Sequence, residues 1–289
     1  MPNESLATIG KILSVWRYPV KSMSGSELST AQMTERGLSG DRSYAILDRS
    51  DGKIATAKNP KKWPTLFAFS ARLSESTDKT GTRLSVQMTL PDGTILSSEC
   101  DDIDTRLSKA LGRDVMLVKT ENGQMEGVQS PLPSSWSANS EEYWPDMAGR
   151  DHRDTVTDFP LPTGTFFDAA MVHVLTTATL NQLRNGYQDG RFALQRFRPN
   201  LVVEANGGAT DFVENSWIGK TLLIGDAVRL HVTGPCPRCV MTTLPQGDLP
   251  KDPGILRTAM QLNHGHVGVY ASVTQGGVIQ SGDEMMLEG

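Results

Sequence analysis

Cysteine is scarce in this chain, three in 289 residues, and an odd count of three leaves no complete disulfide framework. Free thiols in a reducing compartment are the expectation. No apolar run approaches the roughly 18 to 20 residues of a membrane span, so no such span is expected. Blocks of like charge are also missing: 28 Lys and Arg stand against 33 Asp and Glu, a net charge of −5. Bulk electrostatics therefore points to neither a nucleic-acid nor a membrane-surface partner. Residues Met1 to Ser5 lack the basic and apolar regions of a signal peptide, and a cytoplasmic location is expected. The length suits one large domain or two medium ones, each able to bury a core.

Two of the three cysteines lie together in Gly234-Pro235-Cys236-Pro237-Arg238-Cys239, followed by Val240, Met241, Thr242 and Thr243. This C-x-x-C stretch follows a strand expected over Val228 to Val232. A zinc site needs about four ligands, usually as two such pairs, and no second pair exists; Cys100 is remote, and His264 and His266 are too close for a finger. A thioredoxin-like dithiol needs its first cysteine to open a helix, whereas Pro235 and Pro237 bracket Cys236. One soft thiolate on a loop beside Arg238, as metal ligand or sulfur carrier, remains open, as does a small buried hydrophobe.

The chain opens with a strand over Ile9 to Tyr18, then Pro19-Val20-Lys21-Ser22 and the small residues Ser24, Gly25 and Ser26. Ammonium, hydroxyl and backbone N–H groups can converge on an oxyanion there. Gly40-Asp41-Arg42 leads into another strand, with Arg42 suited to bidentate phosphate contact. From Asp51-Gly52 to Val118 the pattern is β, including Leu66 to Leu73 and Leu84 to Leu90, with hairpin signals at Asp51-Gly52 and Asp92-Gly93. Ile103 to Leu111 alone keeps helical spacing, with Asp101 or Asp102 as cap and Gly112 as stop. Between Lys119 and Thr165, Ser, Pro, Gly, Asn and acidic residues dominate, and Trp136, Tyr143 and Trp144 argue that this connection packs on something. The second half restarts with a strand over Met171 to Leu175, containing His173, and a short helix capped by Thr176 or Thr177. The run Gln195 to Glu204 carries Arg196, Arg198 and Asn200 around Pro199, ahead of a further strand.

Taken in order, Arg17-Tyr18-Pro19-Val20-Lys21-Ser22, Gly40-Asp41-Arg42, Phe197-Arg198-Pro199-Asn200, Gly225-Asp226 and Pro237-Arg238-Cys239 with Thr242-Thr243 resemble the MOSC family, including the N-terminal β-barrel domain that accompanies it. The resemblance covers nearly the whole chain and extends to the amidoxime-reducing branch. It implies a mostly β protein with a few short helices: an N-terminal β-barrel-like domain over 1–125, a connection over 126–164 and a β-barrel MOSC domain over 165–289. It further implies a molybdenum cofactor, molybdopterin with Mo. Cys239 would ligate the metal, and Lys21, Ser22 and Arg42 would bind phosphate. Arg198 and Asn200 would contact the pterin, with Thr176, Thr177 and Arg238 nearby. The implied ligands are thus divided between the two halves.

Where the reductase branch continues Val-Asp after the threonine pair, this chain has Leu244-Pro245-Gln246-Gly247-Asp248. With three cysteines, none after Cys239, no [2Fe–2S] cluster is expected, and no pyridoxal-phosphate site. Two functions follow. One is a molybdenum reductase of N-hydroxylated or N-oxide small molecules, fed electrons by a separate ferredoxin- or cytochrome b5-like protein. The other is a cofactor carrier or sulfur-transfer protein using a cysteine persulfide.

Overall fold

The computed structural model describes residues 6–78, 81–121, 124–126, 138–145, 154–162, 164–208 and 211–288. Contacts divide the chain into two compact units that do not follow its linear halves. One comprises Met1–Arg17, Glu27–Ser39 and Ala170–Gly289; the other comprises Tyr18–Ser26 and Gly40–Ala169. The opening strand, which reads from sequence as the start of the first domain, belongs by its pairing to the barrel of the second.

Seven strands close that barrel. Ala7–Arg17 pairs antiparallel with both Leu201–Ala205 and Glu284–Glu288. Between those two edges the order runs Leu201–Ala205, Val172–Thr176, His266–Gln275, Val228–Pro237, Thr221–Ile224 and Glu284–Glu288. Only the contact between Val172–Thr176 and Leu201–Ala205 is parallel, and the helix Thr177–Gly186 lies in its crossover. A register shift between Ile12 and Ser14 marks a bulge. It turns Ile12 and Val15 into the same buried core and leaves Leu13 exposed. At the closure point Gly10 is required, because a Cβ there would lie 2.3 Å from the Glu204 carbonyl oxygen.

The strand Val172–Thr176 is buried on both faces. Val172 and Val174 join the barrel interior with Leu201, Leu230 and Val269. Leu175 points into a separate cluster with Leu180, Leu183, Phe197, Ile255 and Ala259. That cluster seats Thr177–Gly186, the short helix Leu194–Phe197 and the helix Pro253–Asn263 on the barrel wall. Asp252 caps the last of these by accepting the Gly254 N–H, with Pro253 in the first turn.

The other unit is organised around Tyr44–Asp48, every residue of which is buried. Alternation sends Tyr44 and Ile46 into one core, with Phe69, Val86, Met88 and Leu107, and Ala45 and Leu47 into another, with Ile54, Val118 and Phe166. The strand pairs with Val115–Glu121. Ser70–Asp78, Gly81–Thr89 and Ile95–Ser97 form a meander, and the helix Ile103–Leu111 packs on Val115–Glu121 with Leu107 in the same core as Val86 and Leu96. Gly112 stops that helix in the left-handed region, φ 66°. Asp102 stands at its start without capping it and pairs instead with Arg106.

Three expectations change on folding. Leu66–Ala68 is a turn of 3-10 helix, and the strand begins at Ser70. The strand expected to stop at Val232 runs on to Pro237, so Cys236 lies on a barrel strand and not on a loop or a helix start. The connection contains a hairpin, Asn139–Trp144 with Thr155–Pro160; there Tyr143 is buried and Trp144 exposed, while Trp136 lies outside the described residues.

Candidate functional site

In the unit built on Tyr44–Asp48, Val20 forms a parallel bridge with Tyr44 and the Lys21 N–H donates to the Tyr44 carbonyl at 2.9 Å. This anchoring aims the Lys21 side chain inward, where it is buried. Its Nζ donates to the Phe166 carbonyl at 3.0 Å and pairs with the Asp168 carboxylate. Lys58 approaches the other Asp168 oxygen at 3.6 Å. Burial pulls Lys21 below its ordinary value, partly offset by Asp168. Burial pushes Asp168 up, but Lys21, Lys58 and Arg42 outweigh it and hold the carboxyl well below the usual range. Ser22 is buried, and its Oγ accepts the Ala57 N–H at 3.0 Å.

Arg42 stands over the Tyr18 ring at 4.6 Å and pairs with buried Asp41. Asp41 in turn accepts the Tyr18 N–H at 2.7 Å. Among the described residues four that are not glycine have positive φ: Ser22 (64°), Arg42 (46°), Arg198 (55°) and His264 (53°). His264 ends a helix, where this conformation is ordinary. The other three are residues singled out from sequence, and such strain concentrates where chemistry needs a fixed geometry.

The barrel unit carries the thiols. Cys236 is fully buried, and Arg238 Nη1 lies 2.9 Å from its sulfur. The His173 Nε2 contacts the Val267 carbonyl at 2.9 Å. A carbonyl only accepts, so that nitrogen carries the hydrogen. Gly268 makes this fit possible, since a Cβ there would lie 2.4 Å from the same nitrogen. Burial alone would raise the Cys236 thiol, but His173 and Arg238, with hydrogen bonds from His173 and Tyr270, pull it down to about 6. Arg238 is raised in return, its burial outweighed by Cys236. The Arg238 Nε is buried with no hydrogen-bond partner, and the guanidinium lies 5.9 Å from the centre of the Phe197 ring.

Cys239 differs. It is partly exposed, is not part of a disulfide, and precedes the 3-10 turn Val240–Thr243. The threonine pair builds that turn: Thr242 Oγ1 donates to the Cys239 carbonyl at 3.0 Å, and Thr243 Oγ1 to the Val240 carbonyl at 2.7 Å. Arg196, fully buried, fastens the loop from beneath. Its guanidinium donates to the carbonyls of Thr242 (2.9 Å), Leu244 (3.2 Å), Pro250 (2.7 Å) and Arg191 (3.0 Å). Among the described residues no three His, Cys, Asp or Glu side chains cluster as a self-sufficient metal site. A single protein sulfur suits a metal that arrives with its other ligands.

The remaining candidates divide by what the fold asks of them. The Asn200 amide accepts the His173 N–H at 3.1 Å and donates to the Trp16 carbonyl at 3.3 Å, bracing three barrel strands. Thr176 caps its helix by accepting the Thr179 N–H and donates to buried Glu214 at 2.7 Å. Thr177 faces a cleft lined also by Lys11, Asn181, Arg184 and Glu204. Arg198 is buried just after the helix Leu194–Phe197. Asp248 is exposed and paired with Arg191. Asp168, Lys58 and Tyr270 carry weight in these clusters without having been singled out from sequence, and Arg196, noted there beside Arg198, proves to brace the Cys239 loop. Of these, the acid following Phe166-Phe167 was the signal available for Asp168.

Residues 9–123 match the MOSC N-terminal beta barrel domain and residues 162–286 the MOSC domain. The chain belongs to the MOSC family, carrying both domains in tandem. It is 26% identical over 252 residues to mitochondrial amidoxime reducing component 2 of Bos taurus, covering 83% of this chain and 68% of that protein. Mitochondrial amidoxime-reducing component 1 of Homo sapiens is 27% identical over 244 residues, covering 83% and 67%. Molybdenum cofactor sulfurase of Oryza sativa subsp. japonica is 25% identical over 267 residues, covering 81% of this chain and 28% of that protein. Among the described residues no helix is long and apolar enough to cross a membrane.

Proposed function

We propose that the protein is a molybdenum-cofactor enzyme that reduces N-hydroxylated or N-oxide small molecules, with electrons from a separate ferredoxin- or cytochrome b5-like protein. The observation that carries this reading is Cys239: a partly exposed thiol on a turn that two threonine hydroxyls and buried Arg196 hold in one conformation. The amidoxime-reducing components match this chain over about two thirds of their own length, whereas the molybdenum cofactor sulfurase matches it over 28% of its own.

The residues present fit the group. Cys239 would be the protein ligand to the metal. Lys21, Ser22 and Arg42 would take the phosphate, two of them with φ already in the strained left-handed region. Arg238, whose buried Nε lacks an acceptor, would supply a hydrogen bond to the pterin, together with Arg198, whereas Thr177 faces a cleft that neither arginine lines. Asn200 and Thr176, their side chains already engaged, would hold the backbone around it. When bound, the cofactor supplies two-electron chemistry on an N–O bond. Overall an N-hydroxyl group takes up two electrons and two protons and leaves as an N–H group and water. The chain's own part is to hold a soft anionic sulfur at one fixed position and to surround the phosphate and pterin with donors. Asp248 pairs with Arg191 at the surface. A panel of amidoxime, hydroxylamine and N-oxide substrates with an artificial electron donor tests the reading. Turnover of at least one class, with molybdenum near one per chain, is expected.

One observation favours a second reading. With its thiol near 6, Cys236 is a thiolate at neutral pH, as a persulfide carrier requires. Its sulfur is fully buried, which opposes transfer to a partner. Cyanide-labile sulfur in place of molybdenum would turn the account to a sulfur-transfer protein or cofactor carrier.

A further inference from the structure

Lys21 is a difficult residue on which to build an anion site. Buried ammonium groups lose their proton readily, and a neutral amine attracts no phosphate. Burial is the largest influence on Lys21 and pulls it down. The groups facing it are the Phe166 carbonyl, the Asp168 carboxylate, the ammonium of Lys58 and the guanidinium of Arg42. Lys58 in turn faces Glu142 at 4.0 Å, and Arg42 faces Asp41. Two of these neighbours, Lys58 and Arg42, push Lys21 further toward neutrality. Asp168 alone opposes them with full charge, and its own carboxyl is held ionised by the same cations.

The geometry is as specific as the charge. An ammonium has three N–H groups. At Lys21 one goes to Phe166 and one to Asp168, which leaves the third for an incoming oxygen. The second Asp168 oxygen faces Lys58. One carboxylate thus orients two ammonium groups.

We propose that Asp168 is the positioning residue of the anion site, holding Lys21 charged and aimed, and that Lys58 is a further cation of that site. The proposal rests on the reading of Lys21, Ser22 and Arg42 as the phosphate-binding group. It is the opposite of a competing role, in which Asp168 would occupy the place of the anion and its removal would tighten binding.

Sulfate is the probe that tests this, because it is a tetrahedral dianion whose charge does not change between pH 6 and 9. Calorimetric titration of the full chain is expected to give a wild-type affinity that varies by less than about twofold across that range. Asp168→Asn is expected to lose about tenfold or more between pH 6 and 9 as Lys21 deprotonates. Asp168→Glu should restore most of the flat profile, and circular dichroism should report both variants folded. Lys58→Met should weaken binding severalfold at every pH without adding pH dependence. A flat profile in Asp168→Asn, or tighter binding, overturns the positioning role while leaving the anion site standing. A wild-type chain that ignores sulfate overturns the anion-site reading and this inference with it. If Asp168→Asn does not fold, Asp168→Ser is titrated in its place: affinity that falls as pH rises supports the role, and a flat profile overturns it.

Discussion

Each unit buries a cation beside an anion, and the two anions are of different kinds. Around Tyr44–Asp48 the pair is Lys21 with Asp168, an ammonium against a hard carboxylate. In the barrel it is Arg238 with Cys236, a guanidinium against a soft thiolate. The carboxylate is ionised at any physiological pH, whereas the thiol, at about 6, changes state close to neutrality. The cations are matched accordingly: lysine, which can lose its proton, has the permanent counter-charge, and arginine, which cannot, has the conditional one. A third buried cation, Arg196, is satisfied by four carbonyls.

The largest effect should come from that third cation. Arg196→Met strands four carbonyl groups and is expected to cost about 3 kcal/mol or more in chemical denaturation, with molybdenum content falling as the Cys239 loop loosens. A variant as stable as wild type would mean that water replaces the guanidinium at no cost.

Removing the paired cations comes next and should separate the two anions. Lys21→Met leaves Asp168 half-paired and unable to take a proton at neutral pH, at a cost of about 2 kcal/mol after allowing for its partial exposure. Arg238→Met leaves Cys236, which answers by protonating, so about 1 kcal/mol is expected. Equal losses in thermal denaturation would remove the distinction.

A smaller effect is the pH dependence that Cys236 confers. Its folded value, about 6, is depressed below that of an unfolded thiol. Its contribution is therefore fully present above the unfolded value and is lost as pH falls through about 6. Stability should rise between roughly pH 6 and 9 in the wild type, and Cys236→Ser should remove that rise. An unchanged slope in the variant would assign the titration to another group.

These contrasts also mark what the sequence could and could not show. The helix Ile103–Leu111 and its Gly112 stop are local matters of spacing and a left-handed residue, and both stand where the sequence puts them. Thr176 as a helix cap is equally local. Lys21, Ser22 and Arg42 fall in one unit, though Arg42 and Lys21 lie on separate segments of it. What could not be read was any partner set by long-range pairing. Asp168 meets Lys21 across 147 positions, and Arg196 meets the Thr242 carbonyl across 46. The extension of the barrel strand through Pro235 and Pro237 was hidden for another reason. Proline cannot donate to a ladder, and the register shifts in this stretch accommodate it.

We propose that two cysteines three positions apart do different work, Cys239 as metal ligand and Cys236 as the counter-charge of Arg238. The most direct measurement is molybdenum per chain and amidoxime reduction in Cys239→Ser and Cys236→Ser, each purified without chelator and assayed with an artificial electron donor. A hydroxyl is a harder and far less acidic ligand than a thiol. Reduction should therefore collapse in Cys239→Ser while the fold survives, and Cys236→Ser should retain most of both metal and activity. Activity that survives Cys239→Ser but is lost in Cys236→Ser would contradict the account.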